Sequence, residues 1–154
     1  MQVFCIMDDM TAVEARSECV ISNVLELFGD KWTFLVIRDM FLFNKHEFKE
    51  FLNSPERIAT NVLTDRLKRL LAAEVIGELP HPDHGSRKLY YLTEKGKDLF
   101  PILAEMAKWG SKHMSHLPSM QSLYARMREQ PGAMKKEMFQ RISAWEQQYL
   151  DNET

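Results

Sequence analysis

The segment from Arg57 to Gly96 changes its hydrophobic period midway. Ile58, Val62, Leu63, Leu67, Leu70 and Leu71 recur at helical spacing. Val75, Ile76 and Leu79 then lead into a turn rich in Pro, Gly and Asp, and Leu89 to Leu92 answer them with β-prone residues. A chain that switches from a period of 3.6 to a period of 2 within a few residues has to form a helix and then a hairpin. A lone hairpin has too few strands to stand by itself, so it must pack on the neighbouring helices.

The flanks supply those helices. Val20, Ile21, Val24, Leu25 and Phe28 repeat at helical spacing, and Gly29 closes that helix as a C′ residue would. Trp32 to Phe43 is strongly apolar and reads as the central core helix, broken at Asn44. His46 to Leu52 reads as a short helix with Phe48, Phe51 and Leu52 inward, followed by a turn at Asn53, Ser54 and Pro55. The next helix spans about Thr60 to Glu74. After the hairpin, Thr93-Glu94-Lys95-Gly96 closes the second strand. Lys97 to Trp109 is predicted helical with Leu99, Ile102, Leu103 and Met106 on one face, Pro101 tolerated in the first turn and Gly110 ending or kinking it. Near the C-terminus Met134, Met138, Ile142, Trp145 and Tyr149 are spaced 4, 4, 3 and 4 apart, one helical stripe. That stripe can fold back on its own domain or pack on a partner subunit. Two-fold dimers are the commonest oligomers, so dimerisation is the expectation. The fold class is therefore mainly α with a small β-wing: a winged helix-turn-helix with flanking N- and C-terminal dimerisation helices. Residues 1–18 read as an arm, 19–110 as the winged domain and 111–154 as a helical extension.

Composition narrows the function. A chain of 154 residues suits one domain with its own core, and 45% apolar residues argue against disorder. No apolar run approaches the roughly 20 residues of a membrane helix. The start, MQVFCIMDDM, has neither a basic n-region nor a cleavage site, and two cysteines, Cys5 and Cys19, read as reduced thiols of a cytoplasmic protein. The net charge of −2 decides nothing, because an electrostatic footprint is local. Between Arg57 and Leu70 the bases Arg57, Arg66, Lys68 and Arg69 face Asp65 alone, and at the hairpin tip Arg87 and Lys88 face Asp83. A helix fits the major groove of double-stranded DNA, and a basic arm reaches the adjoining backbone. With Leu63, Leu67 and Leu70 inward, Thr60, Asn61, Thr64 and Lys68 are the candidates for the groove. Arg57, Arg66, Arg87 and Lys88 are the candidates for phosphates, which position without reading sequence. The bland reading of the helix is a solvated amphipathic face; the basic hairpin that follows tips the balance towards DNA.

No catalytic constellation is present: there is no GxSxG, P-loop, GxGxxG or HExxH, so no enzyme is expected. No cofactor or metal is expected either. His81, Asp83 and His84 on a turn, and His113 with His116, fall short of the three or four rigid ligands zinc prefers. Cys19 stands near a helix N-terminus, where a thiol can become reactive. Read from the residues alone it is a small buried hydrophobe. Two alternatives share the scaffold: a protein-interaction module using the C-terminal stripe, and a small-molecule sensor whose effector enters between core and flanking helices, lined by Trp32, Met106 and Trp109.

Several motifs together resemble the HxlR family, which is related to MarR-type regulators. Cys19 followed by an apolar helix and Gly29-Asp30-Lys31-Trp32 resembles its C…GGKW opening. Phe48-Lys49-Glu50-Phe51 resembles its F-x-E-L pattern. Leu63-Thr64 with Leu67 and Leu70, the run Tyr90-x-Leu92-Thr93-Glu94-Lys95-Gly96, Pro101-x-Leu103 and Trp109-Gly110 continue the match over about residues 19 to 110. The resemblance implies a dimeric DNA-binding transcriptional regulator, with its recognition helix at about Thr60 to Leu71 and its wing at about Gly77 to Leu92. It also implies that Cys19 occupies a position where some members sense oxidants or electrophiles. The chain departs from the pattern at Glu74, where the family often has Gly, at Glu78, where it often has Arg, and at Glu47, where a basic residue is frequent. The tail beyond Ser111 is longer than the family's.

Overall fold

The computed structural model describes residues 15, 17–114, 116–117 and 121–151. Cys5 and most of the expected arm lie outside them. The first helix, α1, is Val20–Phe28, with Cys19 at its N-cap. Gly29 follows with φ −75°, in the right-handed region, so the left-handed C′ role expected for it does not hold. Its missing side chain matters for another reason: an added Cβ would stand 2.3 Å from the Leu25 carbonyl oxygen.

Asp30 then caps α2, Lys31–Phe43, accepting the backbone N–H groups of Trp32 at 2.9 Å and Thr33 at 3.1 Å. α2 buries Val36, Ile37, Met40 and Phe41 and is the central helix, as its apolar run predicts. Asn44 ends it in the left-handed conformation at φ 52°, which Asn tolerates better than most residues. α3, Phe48–Leu52, is opened by a capping box in which Glu47 and Glu50 each reach the other's backbone. The turn through residues 53–57 leads into α4, Thr60–Ala72, which buries Leu63, Leu67 and Leu70.

The end of α4 is a Schellman motif. The Val75 N–H donates to the Leu70 carbonyl and the Glu74 N–H to the Leu71 carbonyl, both at 3.0 Å, with Glu74 at φ 55°. The chain then turns into β1, Ile76–His81, and returns as β2, His84–Leu92. The two pair antiparallel, Ile76 against Leu92 and Leu79 against Leu89, with an irregularity at Pro80 and His81. The hairpin is sewn to the start of α3: Glu47 bridges Leu89, and the Tyr90 N–H donates to the His46 carbonyl at 2.8 Å.

The helix expected from Lys97 to Trp109 is two helices. Thr93 caps a one-turn α5, Glu94–Lys97, and α6 runs from Phe100 to His113. Gly110 lies inside α6, which continues past it to His113, so it does not end the helix. Gly96 is buried where α5 meets the strand end, and a Cβ there would fall 2.1 Å from the Val75 carbonyl oxygen, so no larger residue fits. α7, Gln121–Glu129, and α8, Pro131–Tyr149, complete the described chain.

Of the two placements open to the α8 stripe, Met134, Met138 and Ile142 take the one within the chain and are buried against their own domain. Phe139 joins Phe41 and Phe100 in an aromatic cluster with centroids 5.6–6.1 Å apart. Trp145 stacks on His46 at 4.0 Å and approaches Tyr91 of the wing at 6.3 Å. Arg141 donates to the carbonyls of Phe41 and Leu42 at 2.6 and 3.2 Å, satisfying the open C-terminal end of α2. α8 thus straps the central helix to the winged face.

Candidate nucleic-acid interface

α4 follows α3 through a short turn, and the hairpin follows α4: helix, turn, helix, wing. The hydrophobic phase of α4 decides what it presents outward. Thr60, Asn61, Thr64, Asp65 and Lys68 are exposed, opposite the buried leucines. The Thr64 hydroxyl donates to the Thr60 carbonyl at 2.8 Å, which leaves its oxygen lone pairs able to accept. Arg57 is exposed two residues before the N-cap of α4, with φ 57°. Among the described residues neither Arg57 nor Lys68 has an acidic partner. Lys49, exposed on α3, shares that property and was not singled out from the sequence, because a single base in a short helix gives no pattern.

Two of the basic residues on α4 turn away from this face. Arg66 donates from Nε to Asp30 at 2.8 Å and pairs through Nη1 with Asp65, and its side chain is only 19% exposed. Arg69 donates to the Glu26 carbonyl at 2.7 Å. Arg66 was expected to reach phosphate; the structure instead makes it a clamp that ties α4 to the N-cap of α2, and Arg69 ties α4 to α1. Asp30 carries the consequence. Burial alone would raise its pKa, but hydrogen bonds from Thr33, Arg66 and the backbone outweigh it and lower the pKa to about 2.

The wing is less positive than its sequence. Lys88 pairs with Glu78 across the hairpin. Arg87 Nη1 stands 3.9 Å from Glu47, and His81 Nε2 stands 3.6 Å from the other oxygen of the same carboxylate. Both cations stay exposed, so both can swing towards a phosphate after giving up a surface pair of small worth. His81 and His84 lie 5.0 Å apart as rings, and among the described residues no group of three His, Cys, Asp or Glu side chains could hold a metal.

A buried ionic knot braces the turn before α4. Asp39, 2% exposed, accepts from Arg38, from Lys45 at 2.8 Å and from the Ser54 hydroxyl. Arg38 also forks onto Glu56 at 2.5 and 3.0 Å, a bidentate pair that holds the Glu56 carboxyl below the usual carboxylate range. His46, above the knot, donates from Nδ1 to the Tyr90 carbonyl at 2.7 Å, and burial against Trp145 pushes its pKa down. The position of the helix-turn-helix is thus fixed by charge pairs as well as by leucines.

The model of the HxlR-like helix-turn-helix matches residues 27–118, more than half of the chain and all of the elements from α2 to α6. This chain belongs to the HxlR family. The uncharacterized HTH-type transcriptional regulator Rv3095 of Mycobacterium tuberculosis is 30% identical over 94 residues, covering 61% of this chain and 58% of that protein. Its counterpart sll1512 of Synechocystis is 32% identical over 93 residues, 60% of this chain and 68% of that one. The chain thus spans less than two thirds of the length of the mycobacterial relative. Among solved structures, PA1607 superposes with TM-score 0.58 at 35% identity, covering 64% of this chain and 67% of the other. The reduced form of the transcriptional regulator YodB from B. subtilis superposes with TM-score 0.51 at 28% identity, covering 63% and 95%. As an HxlR member the chain carries the family's helix-turn-helix, which is the α3–α4 pair described above. Cys19 lies outside the matched segment. It is exposed, which overturns the reading of a buried hydrophobe. No helix among the described residues is long and apolar enough to cross a membrane.

Proposed function

We propose that the protein binds operator DNA as a homodimer, with α4 in the major groove and the β1–β2 wing on the flanking backbone. The observation that carries this reading is the polar outer face of α4, where Thr60, Asn61, Thr64 and Lys68 stand free of the core beside the unpaired Arg57. Asn and Thr read base edges in the groove, and Lys and Arg reach bases or phosphates. Arg87 and Lys88 add backbone contacts once they leave Glu47 and Glu78. The dimer surface we assign is not the α8 stripe but the apolar residues left outside: Val20, Ile21, Val24 and Leu25 on α1 and Ile102, Met106 and Trp109 on α6. Val20 and Ile21 are 76% and 71% exposed and Trp109 is 60% exposed, and large apolar side chains grouped on the outer face of a helix mark an interaction site. Cys19, at the head of α1, is the place where an oxidant would act on that surface.

The test is binding of the purified protein to its own upstream DNA and to a scrambled duplex over a salt series, with and without a thiol oxidant. The reading expects tight, sequence-selective, salt-steep binding. Lys68→Ala should weaken binding and, if Lys68 meets a phosphate, shallow the slope of log K against log salt by about one contact's worth. Loss of binding on oxidation in wild type but not in Cys19→Ser would make Cys19 a sensor. Equal affinity for both duplexes at every salt concentration would overturn the operator reading.

A further inference from the structure

α2, α6 and α7 do not close fully on one another. Between them lies a cavity of about 380 Å³, within the roughly 300–1,000 Å³ typical of small-molecule sites. Phe34, Leu35 and Leu42 wall it from α2, Leu103 and Met106 from α6, and Met127 from α7. α7 lies beyond the segment shared with the family, so this chain's own extension turns an open helical seam into a pocket. The expected lining by Trp32 and Trp109 does not occur, whereas Met106 faces the cavity.

Among the described residues the polar groups on the wall are Arg38, Arg128, Tyr124 and Ser111, and none of these is acidic. An apolar chamber whose described walls carry two guanidinium groups and no carboxylate favours an anion with an apolar body. Arg38 has capacity left. A guanidinium carries five N–H donors. Nε and Nη2 donate to Asp39 at 2.9 and 2.6 Å, and Nη1 and Nη2 donate to Glu56 at 2.5 and 3.0 Å. One N–H on Nη1 is unspent. Arg128, on the other wall, is half exposed, and among the described residues its ion pair is with its neighbour Glu129 at 3.1 Å.

The geometry points to a binding site for a small amphiphilic carboxylate in this cavity, coupled to α4 through the Arg38–Glu56 pair. The carboxylate takes the spare Nη1 hydrogen and the Arg128 guanidinium, and its charge beside Glu56 repels that carboxylate and weakens its pair with Arg38. Glu56 immediately precedes Arg57 in the turn that leads into α4, so its release loosens that turn and leaves the Ser54–Asp39 bond as its remaining polar tie to α2 among the described residues. A ligand shifts an equilibrium only by binding one state better than the other. Here the better-bound state is the one in which Arg38 has let Glu56 go, and ligand therefore weakens DNA binding. The coupling rests on the operator reading given above; the binding itself does not.

The experiment separates the two. Full-length protein is titrated calorimetrically with decanoate, with decanol and with acetate. Decanoate should bind about tenfold or more tightly than either, since decanol lacks the charge and acetate the apolar body. Arg128→Gln should lose about tenfold in decanoate affinity. Ala107→Trp, which fills the chamber from α6, should abolish binding in a protein whose circular dichroism is that of wild type. Equal binding of decanoate and decanol, or decanoate binding that survives Ala107→Trp, would overturn the site. In the DNA assay decanoate should weaken operator binding by wild type, whereas Glu56→Gln should still bind decanoate and no longer respond to it. Decanoate binding with operator affinity unmoved in wild type would overturn the relay. If wild type binds no DNA under any condition, the operator reading fails and the calorimetric result still stands on its own.

Discussion

At the residue scale, two positive φ values separate strain kept for stability from strain kept for contact. Glu74 and Arg57 both occupy the left-handed region, at φ 55° and 57°. A residue with a Cβ is held there at a cost of roughly 1 kcal/mol that glycine avoids. Glu74 is the C′ residue of the Schellman motif ending α4, the position glycine fills most often. Glu74→Gly should therefore stabilise the protein by about 0.5–1 kcal/mol, read as a rise of a few degrees in thermal midpoint. Operator affinity should hold or improve, since an acid leaves the base of the wing. Arg57→Gly relieves the same strain and should raise the midpoint similarly, but it removes an unpaired cation at the head of α4. Its DNA affinity should fall. If both substitutions leave DNA binding equal, Arg57 is not a contact. The glycine preference at residue 74 could be foreseen from the family pattern. The left-handed Arg57 could not, because Arg carries no turn signal.

At the element scale, the capped start of α2 is where α2 and α4 are locked together. Asp30 caps two backbone N–H groups and holds Arg66, and its pKa of about 2 states how strongly the fold prefers the carboxylate. The folded pKa is depressed, so this contribution is complete above the unfolded value near 4 and is lost as pH falls towards 2. Acid unfolding of wild type should steepen across that window. Asp30→Asn keeps the cap but not the charge and should flatten the curve there, while Asp30→Ala should cost about 1–2 kcal/mol already at neutral pH. An acid titration of Asp30→Asn that overlays wild type would sink this assignment. The same locking explains which elements were legible. Helices with one buried partner, such as α2 and α4, declare their faces by periodicity, and so does the hairpin. What periodicity does not declare is the flank of a stripe. Arg66 follows Leu63 by three residues and precedes Leu70 by four, which places it beside the buried leucines rather than opposite them. That phase alone separates it from Lys68. The break between α5 and α6 was hidden for a different reason: the Thr93 cap and the buried Gly96 act through contacts with Val75, far upstream in sequence.

At the scale of the whole molecule, the question is which apolar surface is spent inside and which remains. A stripe at helical spacing tells that a helix has a partner, not who the partner is. The α8 stripe finds Phe41, Phe100 and the His46 ring within its own chain, and α8 is thereby removed from the list of free surfaces. The residues that stay out on α1 and α6 are individually large and fall at i, i+1, i+4, i+5 and at i, i+4, i+7, which is one outward face on each helix. If those faces pair across a two-fold axis, two copies of α4 are presented to half-sites about one helical turn, roughly 34 Å, apart. Introducing charge into the seam should then do two things at once. Ile21→Glu with Trp109→Glu replaces exposed side chains, so the folded protomer should keep its thermal midpoint, while light scattering should give half the wild-type mass. Operator binding should fall steeply, because each protomer now engages one half-site, and the slope of log K against log salt should drop to about half as the number of phosphates neutralised halves. A wild-type protein that is already monomeric at micromolar concentration, or a double variant that keeps its mass and its slope, would place the dimer elsewhere and leave α1 and α6 as the surface for a different partner.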